Sequence, residues 1–144
     1  MTNLVLPPED LSNGAISARL TTTALNNINN GLIQKKNLVY LELNGCSGNI
    51  ISLLNGQNPD FEYAFTSMVN IQYSNSLMVA EGEKAIEKLM NALEGDYILA
   101  VEGAVALKNN GLYNIIGSWK GKPLTGLEAV KMLGEKASHI LAVG

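Results

Sequence analysis

The sequence predicts a three-layer α/β/α fold built on a mostly parallel sheet. Three observations carry this. Beyond residue 36, short apolar runs alternate with amphipathic segments, and that alternation implies parallel strands joined by right-handed crossovers. Residues 97–101, YILAV, form an unbroken apolar run closed by Glu102-Gly103, the pattern of a strand covered on both faces. At 144 residues the chain has the length of about one domain.

The elements follow in order. Residues 1–36 differ in composition and read as an N-terminal extension. Pro7 and Pro8 open a polar stretch, and Asn26, Asn27, Asn29 and Asn30 cluster before Gly31. Leu20, Ala24, Leu25 and Ile28 recur at helical spacing, so a short amphipathic helix over 17–29 and a loosely ordered extension both fit. Gly31 would stop such a helix. Residues 37–144 read as the folded domain. The first strand is 38–43, with Glu42 its one charge. Residues 49–54 form a short helix stopped at Asn55-Gly56. Residues 68–73 alternate as a strand does. Residues 81–93 are the clearest helix: Ile86, Leu89, Met90 and Leu93 share one face, and Glu83, Lys84, Glu87 and Lys88 the other. The run 97–101 is the third strand, and KNNG at 108–111 is a turn. Residues 125–136 form another helix, capped by Thr125, with Leu127, Val130 and Leu133 inward and Lys136 at the dipole's C-terminal end. Residues 139–143 are the fourth strand. The expected strand order is the flavodoxin-like 2-1-3-4, with helices on both faces.

Composition excludes several classes. The net charge is −3, which gives no electrostatic reason for nucleic-acid binding. No apolar run is long enough to cross a bilayer, so no transmembrane segment is expected. The N-terminus lacks the basic and apolar regions of a secretory signal, and the sole arginine, Arg19, rules out a twin-arginine pair. A single cysteine excludes an internal disulfide framework. The expected location is the cytoplasm. Hydrophobic residues make up 47% and charged residues 16%, a balance that suits burial of part of the surface against a partner.

The chemistry points to Cys46. It lies in the glycine-flanked loop NGCSGN between the first strand and the first helix of the folded domain, and open α/β sheets place ligands at the carboxyl ends of strands. Glycines there allow close backbone approach, and the loop matches neither a Walker loop nor G-x-G-x-x-G. The alternative is a small thiol packed in the core. Glu102 ends the third strand next to Gly103. Its alternatives are a functional carboxylate and a structural one accepting backbone N–H bonds. His139 is the only histidine and supports no Ser/His/Asp set. Trp119 and Tyr113 read as core or partner-facing aromatics, and Asp60, Phe61 and Glu62 as a solvated loop after Pro59.

With these elements placed, four segments resemble the N-terminal flavodoxin-like domain of [NiFe] hydrogenase small subunits. CSGNIISLL (Cys46 to Leu54) is similar to the family's C-x-G-C-x-x-S-L-L loop and helix. SLMVAEGEKA (Ser76 to Ala85) resembles its LM-A-A-G segment. DYILAVEGAVALKNNGLYNIIG (Asp96 to Gly117) resembles Y-x-L-x-V-E-G-A-x-P-x-x-x-x-G-x-Y-x-x-I-G, and HILAVG (His139 to Gly144) the strand before the family's next cluster cysteine. The resemblance spans 37–144, and its CSGN form looks closest to cytosolic members that oxidise hydrogen at low concentration. A cluster-bearing subunit of respiratory complex I shares the fold class, but V-E-G-A and Y-x-x-I-G fit hydrogenases better.

The resemblance implies an electron-transfer subunit, an oxidoreductase component that is not catalytic alone. It implies a heterodimer with a hydrogenase large subunit, whose metals split hydrogen, and a proximal 4Fe-4S iron–sulfur cluster. Cys46 would be the cluster's first ligand, with Ser47, Gly48, Asn49, Glu102 and Gly103 around it. A proton-transfer role for Glu102 is also implied. Two departures stand out. Asn49 occupies the place of the second cysteine, and an amide is a poor iron ligand. The next family cysteine would follow Gly144, so the chain reads as a fragment or truncated relative unable to hold a cubane cluster alone. Glu42 or Glu102 would be the oxygen ligands at hand. The surface around Ser47, Asn49 and Glu102 is expected to be apolar and to be buried by the partner. The alternatives are a flavin- or nucleotide-binding module and a cluster-free scaffold subunit.

Overall fold

The computed structural model describes residues 13–32, 34–57 and 59–144. The expected Pro7-Pro8 start of the polar stretch lies outside these residues. The chain divides into two compact units, 1–35 and 36–144.

In the first unit, helix α1 spans Asn13–Asn29, one turn longer at its start than the sequence suggested. Its end closes by a Schellman arrangement, in which backbone N–H groups reach back to orphan carbonyls. Gly31 N–H donates to the Ile28 carbonyl at 3.0 Å, and Leu32 N–H to the Asn27 carbonyl at 2.8 Å.

The second unit carries a four-stranded parallel sheet. Its strands are β1 (Lys36–Glu42), β2 (Val69–Ser74), β3 (Ile98–Glu102) and β6 (His139–Val143), in spatial order β2-β1-β3-β6. The expected order of the parallel strands holds. The last carries the number six because a hairpin, β4 (Ile115–Trp119) and β5 (Lys122–Thr125), intervenes.

Three helices pack on this sheet: α2 (Gly48–Leu54), α4 (Gly82–Ala92) and α5 (Gly126–Gly134). The central strands alternate between two cores. Val39, Leu41 and Leu99 are wholly buried and join Ile86 and Leu89 of α4 and Ala129 and Leu133 of α5. Leu38, Tyr40 and Ala100 point the other way and pack with Ile50 of α2. Cover on both faces is why β1 reads as an apolar run and not as an alternation. β6, at the sheet edge, is mostly exposed.

Two sequence expectations need correction. Residues 60–62 are not a loop. Asp60 caps a helical turn, α3 (Phe61–Tyr63), by accepting from Tyr63 N–H at 2.8 Å, and a π-helical turn, Ala64–Met68, leads on into β2. The hairpin β4–β5 was not expected. Its turn is Lys120-Gly121, both at positive φ, and Ile116 and Trp119 pack on the α4–α5 core. Trp119 is therefore a core aromatic, whereas Tyr113 is exposed.

Local capping fits the sequence. Thr125 and Glu128 form a capping box at the start of α5, in which the hydroxyl accepts from Glu128 N–H and the carboxylate accepts from Thr125 N–H. Those bonds hold the Glu128 carboxyl below the usual range.

Candidate functional site

The carboxyl ends of β1 and β3 build the site. Glu42 and Glu102 are register partners on these neighbouring strands. Beyond them the two loops stay tied together. Leu43 N–H donates to the Glu102 carbonyl at 2.8 Å, and Asn44 and Ala104 exchange backbone bonds at 3.2 and 2.8 Å. On the opposite side β2 has already ended, and the Asn75 side chain takes over the pairing. Its Oδ1 accepts from Glu42 N–H at 3.1 Å and its Nδ2 donates to the Glu42 carbonyl at 2.7 Å. Asn114 anchors the loop from below, donating from Nδ2 to Asn44 Oδ1 at 2.5 Å.

Gly103 permits the loop contact. Its φ is +86°, and a side-chain carbon there would sit 2.8 Å from the Asn44 carbonyl oxygen. Cys46 lies just past this junction and is exposed, which removes the core-thiol alternative. Ser47 is the N-cap of α2 but makes no side-chain capping bond. Gly48 N–H donates to Cys46 Sγ at 3.4 Å. Asn49 is exposed, with its amide against Gly144 at the end of β6. Glu42, Leu43, Gly45, Cys46, Ser47 and Glu102 line a cavity of about 60 Å3.

The predicted residues thus come together, with one correction. Ser47 and Asn49 are exposed and polar, but Glu102 is 96% buried, so the three do not share an apolar surface. Nor is the donor to Glu102 a backbone N–H. It is the Tyr40 hydroxyl, at 2.5 Å to Oε2. Ser76 Oγ donates to Glu42 Oε2, while Glu42 Oε1 is buried without a partner. Each carboxyl thus has one hydroxyl donor.

This environment acts on the phenols. Burial, then the bond to Glu102 and the charges of Glu102 and Glu42, push the Tyr40 hydroxyl well up. Burial and then Glu42 raise Tyr73, and burial raises Tyr97, whose hydroxyl donates to the Leu133 carbonyl at 2.7 Å. Tyr40 therefore stays a proton donor. Tyr40→Phe would strip the buried Glu102 of its donor, and urea denaturation should show a loss of about 1–3 kcal/mol. The three raised phenols also set a pH limit. An unfolded tyrosine ionises near pH 10, and these three hold their protons to higher pH when folded. Their stabilisation is complete below about pH 10 and is lost as pH rises through the folded values, so the urea midpoint should fall above that point.

Among the described residues, no group of three or more His, Cys, Asp or Glu is placed to hold a metal ion. No helix of the described residues is long and apolar enough to cross a membrane.

Residues 46–144 match the family described as NADH ubiquinone oxidoreductase, 20 Kd subunit. The chain belongs to this family. Its curated relatives include the hydrogenase-2 small chain of Escherichia coli K12. That protein is 30% identical over 114 residues, covering 77% of this chain and 29% of the relative. The periplasmic [NiFeSe] hydrogenase small subunit of Desulfomicrobium baculatum is 29% identical, covering 77% and 38%. Among solved structures, the reduced, active Ni-Fe-Se hydrogenase of Desulfomicrobium baculatum superposes with a TM-score of 0.74 at 28% identity over 77% of this chain and 42% of that one. The recombinant [NiFeSe] hydrogenase of Desulfovibrio vulgaris Hildenborough gives 0.75 at 29%, covering 78% and 41%. The chain spans less than half the length of each of these proteins.

Sequence reasoning missed Tyr40, Asn44, Asn75, Ser76 and Asn114. Tyr40 was hidden because a tyrosine in an apolar strand reads as core. The asparagines carry no pattern of their own, since their partners lie 33 to 70 residues away.

Proposed function

We propose that this chain is the electron-transfer small-subunit domain of a [NiFe] hydrogenase, and that it docks on the large subunit through the Cys46 loop. One observation carries the reading. The only cysteine of the chain stands exposed just beyond the carboxyl ends of the central strands β1 and β3, with its sulfur accepting a backbone N–H. Backbone donors of this kind suit sulfur anions at helix starts and in glycine-rich loops.

The family relationship brings an iron–sulfur cluster into question, and the donor set of this chain does not fit a four-cysteine one. It holds one thiol, beside an amide and two carboxyls, Glu102 bonded by Tyr40 and Glu42 bonded by Ser76 at one oxygen only. Cys46 is the residue able to give a thiolate ligand, and the chain offers part of a cluster site.

The test is co-expression with a hydrogenase large subunit, followed by affinity capture of the tagged chain and thiol alkylation. The free chain should react at Cys46 without denaturant, because the sulfur is exposed. In the complex the reaction should slow by about tenfold or more. A folded chain that captures no large subunit, or a complex whose Cys46 reacts as fast as in the free chain, would defeat the proposal.

A further inference from the structure

Within the C-S-G-N loop, Asn49 deserves a role of its own. It stands where a C-x-x-C pair has its second sulfur, one residue into α2. Its side chain lies against Gly144, the residue that follows β6. A side-chain carbon at Gly144 would sit 2.7 Å from Asn49 Nδ2 and 3.6 Å from Cγ, and the φ of Gly144 is +98°. That left-handed φ favours glycine, and the contact brings the start of α2 to the end of an otherwise exposed edge strand.

We infer that Asn49 serves structure and not ligation: it packs over the carboxyl end of β6, and the 46–49 loop presents a single thiolate instead of a chelating pair. The reading of the site as a hydrogenase cluster site is what makes the missing thiolate matter, so the inference rests on that reading for its context. Its physical basis is independent. Cluster iron takes cysteine thiolate, and a neutral amide is a weak substitute. The remaining thiolates of any four-cysteine cluster at Cys46 would have to come from outside these 144 residues, since the sequence holds one cysteine.

The experiment uses the full chain alone, so it is separable from the docking test. Cobalt(II) is added without oxygen to the wild type and to Asn49→Cys. The wild type should show no thiolate-to-cobalt charge-transfer band of a two-sulfur site, and Asn49→Cys should show one. Equal bands in both, or none in the variant, would overturn the ligand half of the inference. So would four iron and four sulfide per wild-type chain after reconstitution. Hydrogen exchange tests the structural half. In Asn49→Ala the amides of Val143 and Gly144 should exchange roughly tenfold faster than in the wild type, with the β1 amides unchanged. Gly144→Ala, which pushes a carbon into the same contact, should do likewise if the first variant folds poorly. Unaltered exchange in both would overturn it.

Discussion

Gly103→Ala should destabilise the domain by about 2–4 kcal/mol in urea denaturation, combining left-handed strain with overpacking. The residue has φ +86°, and the new carbon would meet three backbone atoms, Asn44 O at 2.8 Å, Asn44 C at 3.0 Å and Gly45 N at 3.3 Å. None is the far end of a flexible side chain, so relief requires the two loops to separate. Separation would break the paired bonds between Asn44 and Ala104. Gly82→Ala is the control. Gly82 has φ +60° with nothing within 4 Å of the added carbon, so it should show the strain alone, about 1–2 kcal/mol. Equal losses in the two variants would mean that the loop contact contributes nothing.

Leu99→Ala should cost about 3–4 kcal/mol, as large-to-small changes at fully buried sites do. Leu99 is 0% exposed in the centre of the α4–α5 core. It lies on β3, which β1 flanks on one side and β6 on the other, so little can move in to fill the space. Leu141, on the edge strand β6, is 52% exposed, and Leu141→Ala should change stability by less than about 1 kcal/mol. The contrast, read from urea midpoints, checks which strand is central. Similar losses at both positions would contradict the difference in burial between the central and edge strands.

The parallel sheet was legible because its signals are local. The apolar runs of β1 and β3, the amphipathic stripe of α4 and the capping box of α5 each lie within a dozen residues. The hairpin was not legible. Its strands are only five and four residues long, interrupted by Gly117 and Pro123, and their burial is supplied by α4 and α5 and not by their own pattern. The Lys120-Gly121 pair was the one available sign of a tight turn. At the site, the sequence pointed to Cys46, Gly103 and Glu102 through strand ends and glycines. It could not show that Glu102 is buried against Tyr40, because that bond joins side chains 62 residues apart.

Asn75 has a wider consequence. By supplying both a donor and an acceptor to the last residue of β1, it lets that strand keep full main-chain support after its neighbour has turned away. The segment leading to the sulfur is thus suspended from backbone on one flank and from one amide on the other. Drift in the lining side chains would leave its coordinates in place. The asparagine itself tolerates no such freedom: aspartate would lose the donor and leucine both bonds, so mutational tolerance should be broad around the thiol and narrow at position 75.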